Sequence, residues 1–271
     1  MMEAIIITGA TGSMGAVAAR KLSAQGIPVI LACRDLVRGK ALMDEILGQT
    51  PSARLELLEL DLSSQARVRA FVAQIGDRRL GGIFNNAGTM NRHYTQSEDG
   101  FELTMAVNYL NVALLTRLLA PNFVPGAHVV NMVSMTTKTA TLDMDWNSYG
   151  KERFGQISTY GKSKLAMLYF SIAFARRYPE FHVNVSDPGI VDSKIIRLDR
   201  WFDPLTDMFF RPLINTPEKG AIPALRALES DSSLNYFVGK RSYRIPDRFL
   251  NSPMVDSLWD QASFLLSLNQ E

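Results

Sequence analysis

The chain has 271 residues, of which 46% are hydrophobic and 21% charged, and its 29 Lys and Arg nearly balance its 27 Asp and Glu. These proportions are typical of globular proteins and exclude a disordered, collagenous or coiled-coil chain. A formal charge of +2 provides no basic stripe for nucleic acid. With a single cysteine, Cys33, and three scattered histidines, we expect neither an intramolecular disulfide nor a Cys/His metal site.

The organisation of the chain points to one unit. The first residues lead directly into an apolar run with no basic segment before it, so we predict no signal peptide. The most apolar uncharged stretch, residues 165–175, is shorter than the ~20 residues that span a bilayer. No repeat or low-complexity linker divides the sequence. We therefore expect a single domain over residues 1–271, without a membrane span and in the cytoplasm.

Short apolar runs alternate with longer segments of helical spacing. The strand candidates are residues 3–8, 28–32, 54–60, 82–85, 128–133, 182–186 and, more weakly, 236–238. Most are apolar throughout, as parallel strands are when helices cover both faces of a sheet. The clearest helix lies near residues 100–119, where one stripe is formed by Leu103, Val107, Leu110, Leu114 and Leu118. This order predicts an α/β fold with a Rossmann-type, doubly wound parallel sheet, in which ligands bind beyond the carboxyl ends of the strands.

A glycine-rich turn follows the first strand candidate. Residues 8–15 read Thr-Gly-Ala-Thr-Gly-Ser-Met-Gly, and a helix-forming segment comes next. Glycines let the backbone approach a phosphate, and the helix N-terminus offers free N–H groups to the anion. An ordinary glycine-rich turn is the alternative. We predict that the turn binds the pyrophosphate of a dinucleotide through Gly9, Thr11, Gly12, Ser13, Met14 and Gly15.

Charged residues follow the second and third strand candidates. Arg34 is placed to pair with the 2′-phosphate of NADP, unless it is a solvated surface charge. The adjacent Asp35 keeps NAD open as an alternative, because an acidic residue there accepts from the ribose hydroxyl. Asp61 is expected to accept from the adenine amino group, to cap the next helix, or to do both.

The fourth strand candidate runs into Asn85-Asn86-Ala87-Gly88, and here the order of motifs becomes informative. The sequence resembles the short-chain dehydrogenase/reductase family over essentially its whole length. After the turn, Asp61 and the Asn-Asn-Ala-Gly segment come Asn108, Ser134, Tyr160 with Lys164, and Pro188-Gly189, all in the family's order. The resemblance implies that the cofactor site also includes Leu62, Asn86, Ala87, Gly88, Tyr160, Lys164, Pro188, Gly189 and Val191.

The spacing Tyr-x-x-x-Lys occurs twice, at residues 160–164 and 236–240. The first match lies in residues 156–175, which read as a helix, where positions i and i+4 are neighbours. The second reads as a strand entering a turn, where four residues separate the side chains by roughly 13 Å. We therefore expect only Tyr160 and Lys164 to act together.

The chemistry of a tyrosine acid/base explains this spacing. A free phenol has a pKa of about 10, and a nearby ammonium lowers that pKa by favouring the phenolate. The resemblance implies that Tyr160 transfers the proton and that Ser134 polarises the carbonyl. It implies that Lys164 adjusts the pKa of Tyr160 and holds the nicotinamide ribose. It also implies that Asn108 orders a water in a proton relay. An amide in an apolar helical stripe needs a hydrogen-bond partner, which agrees with such a role.

Some positions depart from the commonest family pattern or suggest a subgroup. Ser13 replaces the middle glycine of the turn. The resulting spacing of Gly9, Gly12 and Gly15 is similar to that of longer members such as sugar-nucleotide epimerases. The short chain and the Asn-Asn-Ala-Gly segment point away from those members. Asn111 stands where many members have glycine. The subgroup that the sequence resembles is that of retinol dehydrogenases and protochlorophyllide reductases, many of which prefer NADP, through residues 30–35, 160–166, 210–213 and 216–221.

Residues 191–215 are rich in large apolar side chains and are predicted to form a lid over a lipophilic substrate. A helical pair closing the core, a subunit contact and a peripheral membrane contact are the alternatives. Met135, Met144 and Trp146 are weaker candidates for the lining of the same pocket.

The combined prediction is an NADP(H)-dependent oxidoreductase that interconverts a small-molecule carbonyl and an alcohol by hydride transfer. NAD(H) is the alternative cofactor, and a homo-oligomer is compatible with the sequence. The rival hypothesis is a non-catalytic dinucleotide-binding sensor on the same fold, because a fold alone does not establish catalysis.

Overall fold

The computed structural model describes residues 2–146, 150–191 and 215–268. Its strands are β1 (Ala4–Thr8), β2 (Val29–Cys33), β3 (Leu55–Glu59), β4 (Leu80–Asn85), β5 (Phe123–Met132), β6 (His182–Asp187), β7 (Asn235–Val238) and β8 (Arg241–Arg244). Within the described residues they form one sheet in the order β3-β2-β1-β4-β5-β6-β7-β8. Neighbours from β3 to β7 are parallel, and β8 is antiparallel to β7.

This strand order confirms the predicted doubly wound α/β sheet. All seven predicted strands are present, with ends shifted by a few residues. The sequence did not predict β8, because its four residues are exposed and carry no apolar run. It forms because the chain reverses at Gly239, which has a φ of +53°, and then pairs with β7.

Helices cover both faces of the sheet. They are α1 (Ser13–Ala24), α2 (Leu36–Gln49), α3 (Gln65–Ile75), α4 (Leu103–Met105), α5 (Asn111–Leu119), α6 (Gln156–Arg177), α7 (Pro217–Leu228), α8 (Asp247–Leu250) and α9 (Met254–Leu265). One hydrophobic cluster joins α3, α5, α6 and α9 to one face of the sheet. A second cluster joins α1, α2 and α7 to the other face, because alternate strand residues point to opposite sides.

The helix predicted near residues 100–119 contains an irregularity. A π-helical turn, Ala106–Leu110, lies between α4 and α5. The stretch Leu103–Asn122 is long and apolar enough to cross a membrane by composition alone, but 83% of its most apolar window is buried inside the fold. Packing in the protein core therefore accounts for its apolar character.

The C-terminal helix α9 holds α5 and α6 in place. The ring of Trp259 lies between two guanidinium groups, with its centroid 4.0 Å from Cζ of Arg117 and 4.4 Å from Cζ of Arg177. Such cation–π contacts are attractive at this distance. The hydroxyl of Tyr109, in the π-helical turn, donates to the carbonyl oxygen of Leu258 at 3.1 Å. These contacts connect α9 to α6, which carries Tyr160 and Lys164, and to the π-helical turn, which carries Asn108.

Gly82→Ala tests how closely the central strands pack. An added Cβ would lie 2.2 Å from the carbonyl oxygen of His128, so β4 and β5 would have to separate. We expect the free energy of unfolding, measured by urea denaturation, to fall by more than about 2 kcal/mol. Gly48→Ala in α2 is the control, because its added Cβ meets nothing within 4 Å and should leave stability unchanged or slightly raised. A neutral Gly82→Ala variant would contradict this strand packing.

Candidate active site

The glycine-rich turn joins β1 to α1 at the carboxyl end of the sheet. Gly9 has a φ of +61°, and a Cβ added there would lie 2.9 Å from Cα of Ala87. A Cβ at Gly15 would lie 2.6 Å from the carbonyl oxygen of Gly9. Gly12 is the N-cap of α1, without a side-chain cap bond and with no acidic residue in the first turn. The residues present therefore fit a bound pyrophosphate, because the helix offers N–H groups with no carboxylate in its own first turn to repel it.

Asn86 and Thr8 hold this turn in place. The side-chain amide of Asn86 donates to the carbonyl oxygens of Thr8 at 2.9 Å and Gly9 at 3.1 Å. The Thr8 hydroxyl accepts from the N–H groups of Asn86 and Ala87, each at 3.0 Å. Thr8 was not among the residues predicted to bind the cofactor, although a polar residue at the end of an apolar strand was the available signal. The carboxyl ends of β1 and β4 therefore meet at this turn.

Charged residues at the start of α2 lie beside the same turn. Asp35 caps α2, with its carboxylate accepting from the N–H of Arg38 at 3.0 Å. The guanidinium of Arg38 donates to the carbonyl oxygen of Thr11 at 3.0 Å. Arg34 is exposed just after the end of β2, and its contact with a 2′-phosphate stays a prediction. The sequence reasoning missed Arg38, which brings a second positive charge to the glycine-rich turn.

Asp61 follows β3 and stabilises a local turn. Its carboxylate accepts from the N–H of Ser63 at 2.9 Å and from the Ser63 hydroxyl at 2.7 Å. The first N–H of α3, that of Gln65, donates instead to the carboxylate of Asp99 at 2.9 Å. The prediction that Asp61 caps this helix is therefore wrong, because a carboxylate distant in sequence occupies the helix end. The contact with adenine stays a prediction.

The helical segment after β4 contains two buried side-chain amides, those of Asn108 and Asn111, and both donate hydrogen bonds within the protein. Asn111 donates to the carbonyl oxygen of Leu62 at 2.8 Å. Asn108, in the π-helical turn, accepts from the N–H of Thr89 at 2.7 Å and donates to the Thr89 carbonyl at 2.8 Å and the Ser163 hydroxyl at 3.0 Å. Both ends of the Asn108 amide are thus bonded within the protein, which satisfies the requirement for a buried polar group.

Tyr160 and Lys164 lie one turn apart on α6, as predicted. Nζ of Lys164 lies 5.7 Å from the centroid of the Tyr160 ring and donates to the carbonyl oxygen of Met132, at the end of β5, at 3.0 Å. Gly88 lies beside this amine, where an added Cβ would be in ordinary van der Waals contact with Nζ at 3.5 Å. Lys164 is only 3% exposed. Burial lowers the pKa of Lys164 to about 8, and the nearby carboxylate of Asp187 opposes this shift.

The ionisation of Tyr160 differs from the sequence expectation. Burial raises the pKa of Tyr160 to about 12, the contact with the Ser134 hydroxyl opposes this rise, and the charge of Asp187 adds to it. We expected the Lys164 ammonium to lower this pKa, and that expectation is wrong for the structure described here, because desolvation of the phenol is the largest effect. Tyr160 is therefore protonated at neutral pH and suited to donate a proton.

Ser134 lies two residues after the end of β5 and is the N-cap of a short 3₁₀ helix, Met135–Lys138. Its hydroxyl accepts from the N–H of Thr136 at 3.3 Å. Its carbonyl oxygen lies 3.3 Å from the hydroxyl of Tyr236, the tyrosine of the second Tyr-x-x-x-Lys match. As predicted, Tyr236 lies on a strand and Lys240 follows in a turn. The sequence did not predict that Tyr236 would nevertheless reach the site.

The Pro188-Gly189 segment follows β6 at the same end of the sheet. Gly189 has a φ of +70°, and its N–H donates to Oδ1 of Asp187 at 2.9 Å. The side-chain amide of Asn215 donates to the carbonyl oxygen of Pro188 at 3.2 Å. A Cβ added at Gly189 would lie 2.9 Å from that amide nitrogen. The glycine therefore permits both the turn and the close approach of Asn215.

Val191 and Met14 both lie against Gly220 of α7. A Cβ added at Gly220 would lie 2.6 Å from a methyl group of Val191 and 3.3 Å from the sulfur of Met14. Val191 also forms a parallel bridge with Asn215. The predicted lid over residues 191–215 lies outside the described residues except for these two ends.

Trp146 packs in the protein core against the π-helical turn. Its ring is 3% exposed and packs edge-on against Tyr109 at 5.5 Å between centroids. It lines a cavity together with Tyr94 and Phe154, and neither Tyr160 nor Ser134 is among the lining residues. The part of Trp146 in a substrate pocket stays a prediction, because most of the predicted lid lies outside the described residues. Two further candidates, Met135 and Met144, are half-exposed.

Comparisons with known proteins agree with this geometry. The family model described as short chain dehydrogenase matches residues 3–200. Retinol dehydrogenase 12 of Mus musculus is 31% identical, over 99% of this chain and 88% of the mouse protein. Polyprenol dehydrogenase of Mus musculus is 34% identical, over 80% of this chain and 68% of that protein. A solved short-chain dehydrogenase from Sphingobium yanoikuyae in complex with NADPH has the same fold, with a TM-score of 0.69 at 22% identity over 100% of this chain and 97% of that one.

The chain therefore belongs to the short-chain dehydrogenase family. Within that family it is similar to the retinol dehydrogenases, as the sequence motifs indicated. It is an NAD(P)-dependent oxidoreductase that acts on alcohol and carbonyl groups of a small molecule.

Asn86→Ala tests whether the hydrogen bonds from Asn86 to the glycine-rich turn are needed for cofactor binding. The substitution removes both hydrogen bonds that hold the turn, so we expect the dissociation constant for NADPH, measured by fluorescence titration, to rise about tenfold or more. Asn122→Ala is the control, because Asn122 also donates to two carbonyl oxygens, those of Gly76 at 2.7 Å and Arg78 at 2.9 Å, but before β5 at the other end of the sheet. Equal effects of the two variants on NADPH binding would contradict the role of Asn86.

Proposed function

We propose that the protein is an NADP(H)-dependent oxidoreductase that interconverts the carbonyl and alcohol forms of a lipophilic small molecule by hydride transfer. The observation that carries the proposal is the convergence of Tyr160, the buried Lys164 and Ser134 at the end of the sheet that also holds the glycine-rich turn. Phosphate-binding and proton-transfer groups are then within reach of one dinucleotide.

The proposed mechanism uses Tyr160 as the proton donor in reduction. The nicotinamide supplies the hydride when the cofactor is bound. The raised pKa of Tyr160, about 12, keeps the phenol protonated until it donates its proton to the substrate oxygen. The hydroxyl of Ser134 donates a hydrogen bond to the same oxygen and stabilises the negative charge that develops there. In oxidation the transfer runs in reverse, and the phenolate of Tyr160 accepts the proton of the alcohol.

Lys164 and Asn108 have supporting parts in this mechanism. A charged lysine has three N–H donors, of which Met132 uses one, so two are available for the ribose hydroxyls of the cofactor. Asn108 donates to the Ser163 hydroxyl, which in turn donates to the carbonyl oxygen of Tyr160 at 2.7 Å. We infer that Asn108 sets the position of the helical turn that carries Tyr160, in addition to the relay that the family resemblance implies.

The preference for NADP is supported by the charges around the start of α2. Arg34 is exposed at the end of β2, and Arg38 extends over the glycine-rich turn at Thr11. A 2′-phosphate between two guanidinium groups would receive charge-assisted hydrogen bonds. Asp35 uses one carboxylate oxygen to cap α2, which weakens its case as a partner of an unphosphorylated ribose.

The lipophilic nature of the substrate is supported by two observations. The relatives named above are dehydrogenases of retinol and polyprenol, both long apolar alcohols. In this chain, the half-exposed side chain of Met135 adjoins Ser134, and the sequence of residues 191–215 is rich in large apolar side chains. We therefore propose substrates with an extended hydrocarbon part next to the reacting carbon.

Tyr160→Phe tests the assigned proton donor. The change removes only the hydroxyl, so we expect kcat for reduction of isoprenoid and aliphatic aldehydes to fall by at least ~10²-fold. NADPH binding should stay nearly intact, and both quantities can be followed by cofactor fluorescence. The matched control is Tyr169→Phe, on the same helix and packed against Phe249, which should keep wild-type rates. An active Tyr160→Phe enzyme would contradict the mechanism, and loss of folding would show Tyr160 to be structural.

Arg34→Ala and Arg38→Ala test the cofactor preference. If these side chains bind the 2′-phosphate, each substitution should weaken NADPH binding about tenfold or more while changing NADH binding little. Lys40→Ala is the control, since Lys40 is an exposed cation of the same helix that pairs with Asp44. Equal loss of NADPH and NADH affinity, or a wild-type preference for NADH, would contradict the assignment.

A further inference from the structure

Asp187 is a buried carboxylate beside the candidate catalytic residues. It is the last residue of β6 and is 2% exposed. Its Oδ1 accepts from the N–H of Gly189 at 2.9 Å, and its Oδ2 accepts from the hydroxyl of Tyr236 at 2.8 Å. A carboxylate at this depth is costly unless hydrogen bonds and an opposite charge compensate it. The N–H of Gly189 and the hydroxyl of Tyr236 supply the hydrogen bonds. The opposite charge has to come from a nearby cation.

Tyr236 fixes the orientation of this carboxylate. The side chain is 2% exposed on β7, and its hydroxyl lies between Oδ2 of Asp187 and the carbonyl oxygen of Ser134. A hydroxyl has one proton to donate, and the shorter distance, 2.8 against 3.3 Å, assigns that proton to Asp187. Burial and the charge of Asp187 both raise the pKa of Tyr236, so the phenol keeps its proton.

Lys164 is the buried cation on the other side of β5. It donates to the carbonyl oxygen of Met132, and the next residue along, Val133, donates its N–H to the carbonyl oxygen of Ser186 at 2.9 Å. Asp187 follows Ser186 directly, so the ammonium and the carboxylate flank the end of one strand. The charge of Asp187 raises the pKa of Lys164 against the effect of burial, and it also raises the pKa of Tyr160.

The other titratable groups near this pair are more exposed. Nζ of Lys138 lies 5.9 Å from the centroid of the Tyr236 ring, and the Lys138 side chain is exposed. Tyr243 on β8 stacks on Tyr236 at 5.3 Å and is 38% exposed. Solvent screens an exposed cation such as Lys138, so its effect on Asp187 is weaker than that of a buried one.

We propose that Asp187, oriented by Tyr236, is a positioning residue that keeps the buried Lys164 in its charged form. Tyr236, from the second Tyr-x-x-x-Lys match, would then act on the same site as Tyr160, through the carboxylate of Asp187. This inference deepens the proposed function and rests on it for the catalytic consequence, whereas the proposed interaction between Asp187 and Lys164 does not depend on turnover of a carbonyl.

The interaction can be measured by unfolding, without any substrate. A double-mutant cycle compares Asp187→Asn in the wild-type and Lys164→Met backgrounds, using urea midpoints of the ligand-free protein. At about pH 7 we expect Asp187→Asn to lower the midpoint more in the wild type, because only there does it leave a buried charge uncompensated. At about pH 10 Lys164, with a pKa of about 8, is neutral, and the difference should disappear. Equal effects in both backgrounds at about pH 7 would overturn the inference.

The catalytic consequence is a shifted pH profile. Removing the negative charge lowers the pKa of both Lys164 and Tyr160, so the limb of the kcat/KM profile that reports their ionisation should move to lower pH by roughly one unit in Asp187→Asn. Tyr236→Phe, a milder change, should give a smaller shift in the same direction, because the carboxylate loses the donor that orients it. Tyr243→Phe, on the neighbouring strand, should leave the profile unchanged.

These measurements separate the two proposals. A wild-type protein that reduces no carbonyl would contradict the proposed function, while the unfolding cycle would still decide whether Asp187 compensates Lys164. An active enzyme whose profile is unchanged in both Asp187→Asn and Tyr236→Phe would overturn the positioning role and leave the proposed function intact. If Asp187→Asn does not fold, Tyr236→Phe in the same cycle and the same pH series gives the decision.

Discussion

The buried ammonium of Lys164 is the constraint on which the rest of the site depends. A charge that is 3% exposed has to be bonded and balanced within the protein. The carbonyl oxygen of Met132 provides the bond, and Gly88 lies beside the amine. Neighbouring strand ends bring these groups together, since β4 ends before Gly88 and β5 ends at Met132. The proposed role of Asp187, at the end of β6, completes the balance of charge.

The parallel sheet is what makes this arrangement accessible to a dinucleotide. Strand ends from β1 to β6 lie along one edge, so the turn after β1 and the residues after β5 and β6 share a surface although they are far apart in sequence. Thr8 and Asn86 connect the turn after β1 to the segment after β4, and Tyr236 connects the segment after β5 to the end of β6. The site is therefore held by buried hydrogen bonds between segments, and the two hydrophobic clusters keep the strands and helices beneath it in place.

Local patterns allowed much of this structure to be predicted, and contacts between distant segments account for what was missed. Apolar runs revealed seven strands, but β8 has exposed residues and depends on pairing with β7. The hydrogen bond between Tyr236 and Asp187 joins residues 49 positions apart, which no spacing rule indicates. Asp99 likewise takes the helix end that was assigned to Asp61. For Tyr160, charge was considered but desolvation was not, because burial is a property of the folded chain.

The central claim is that this end of the sheet transfers a hydride, with Tyr160 as the proton donor. The most direct measurement is a single turnover of the enzyme loaded with NADPH deuterated at C4 of the nicotinamide, mixed with an isoprenoid aldehyde and analysed by mass spectrometry. The account predicts an alcohol that carries one deuterium on the former carbonyl carbon, formed by the wild type and lost in Tyr160→Phe. Tight binding of NADPH with no labelled alcohol from any aldehyde or ketone would contradict it, and would favour a dinucleotide-binding sensor on the same fold.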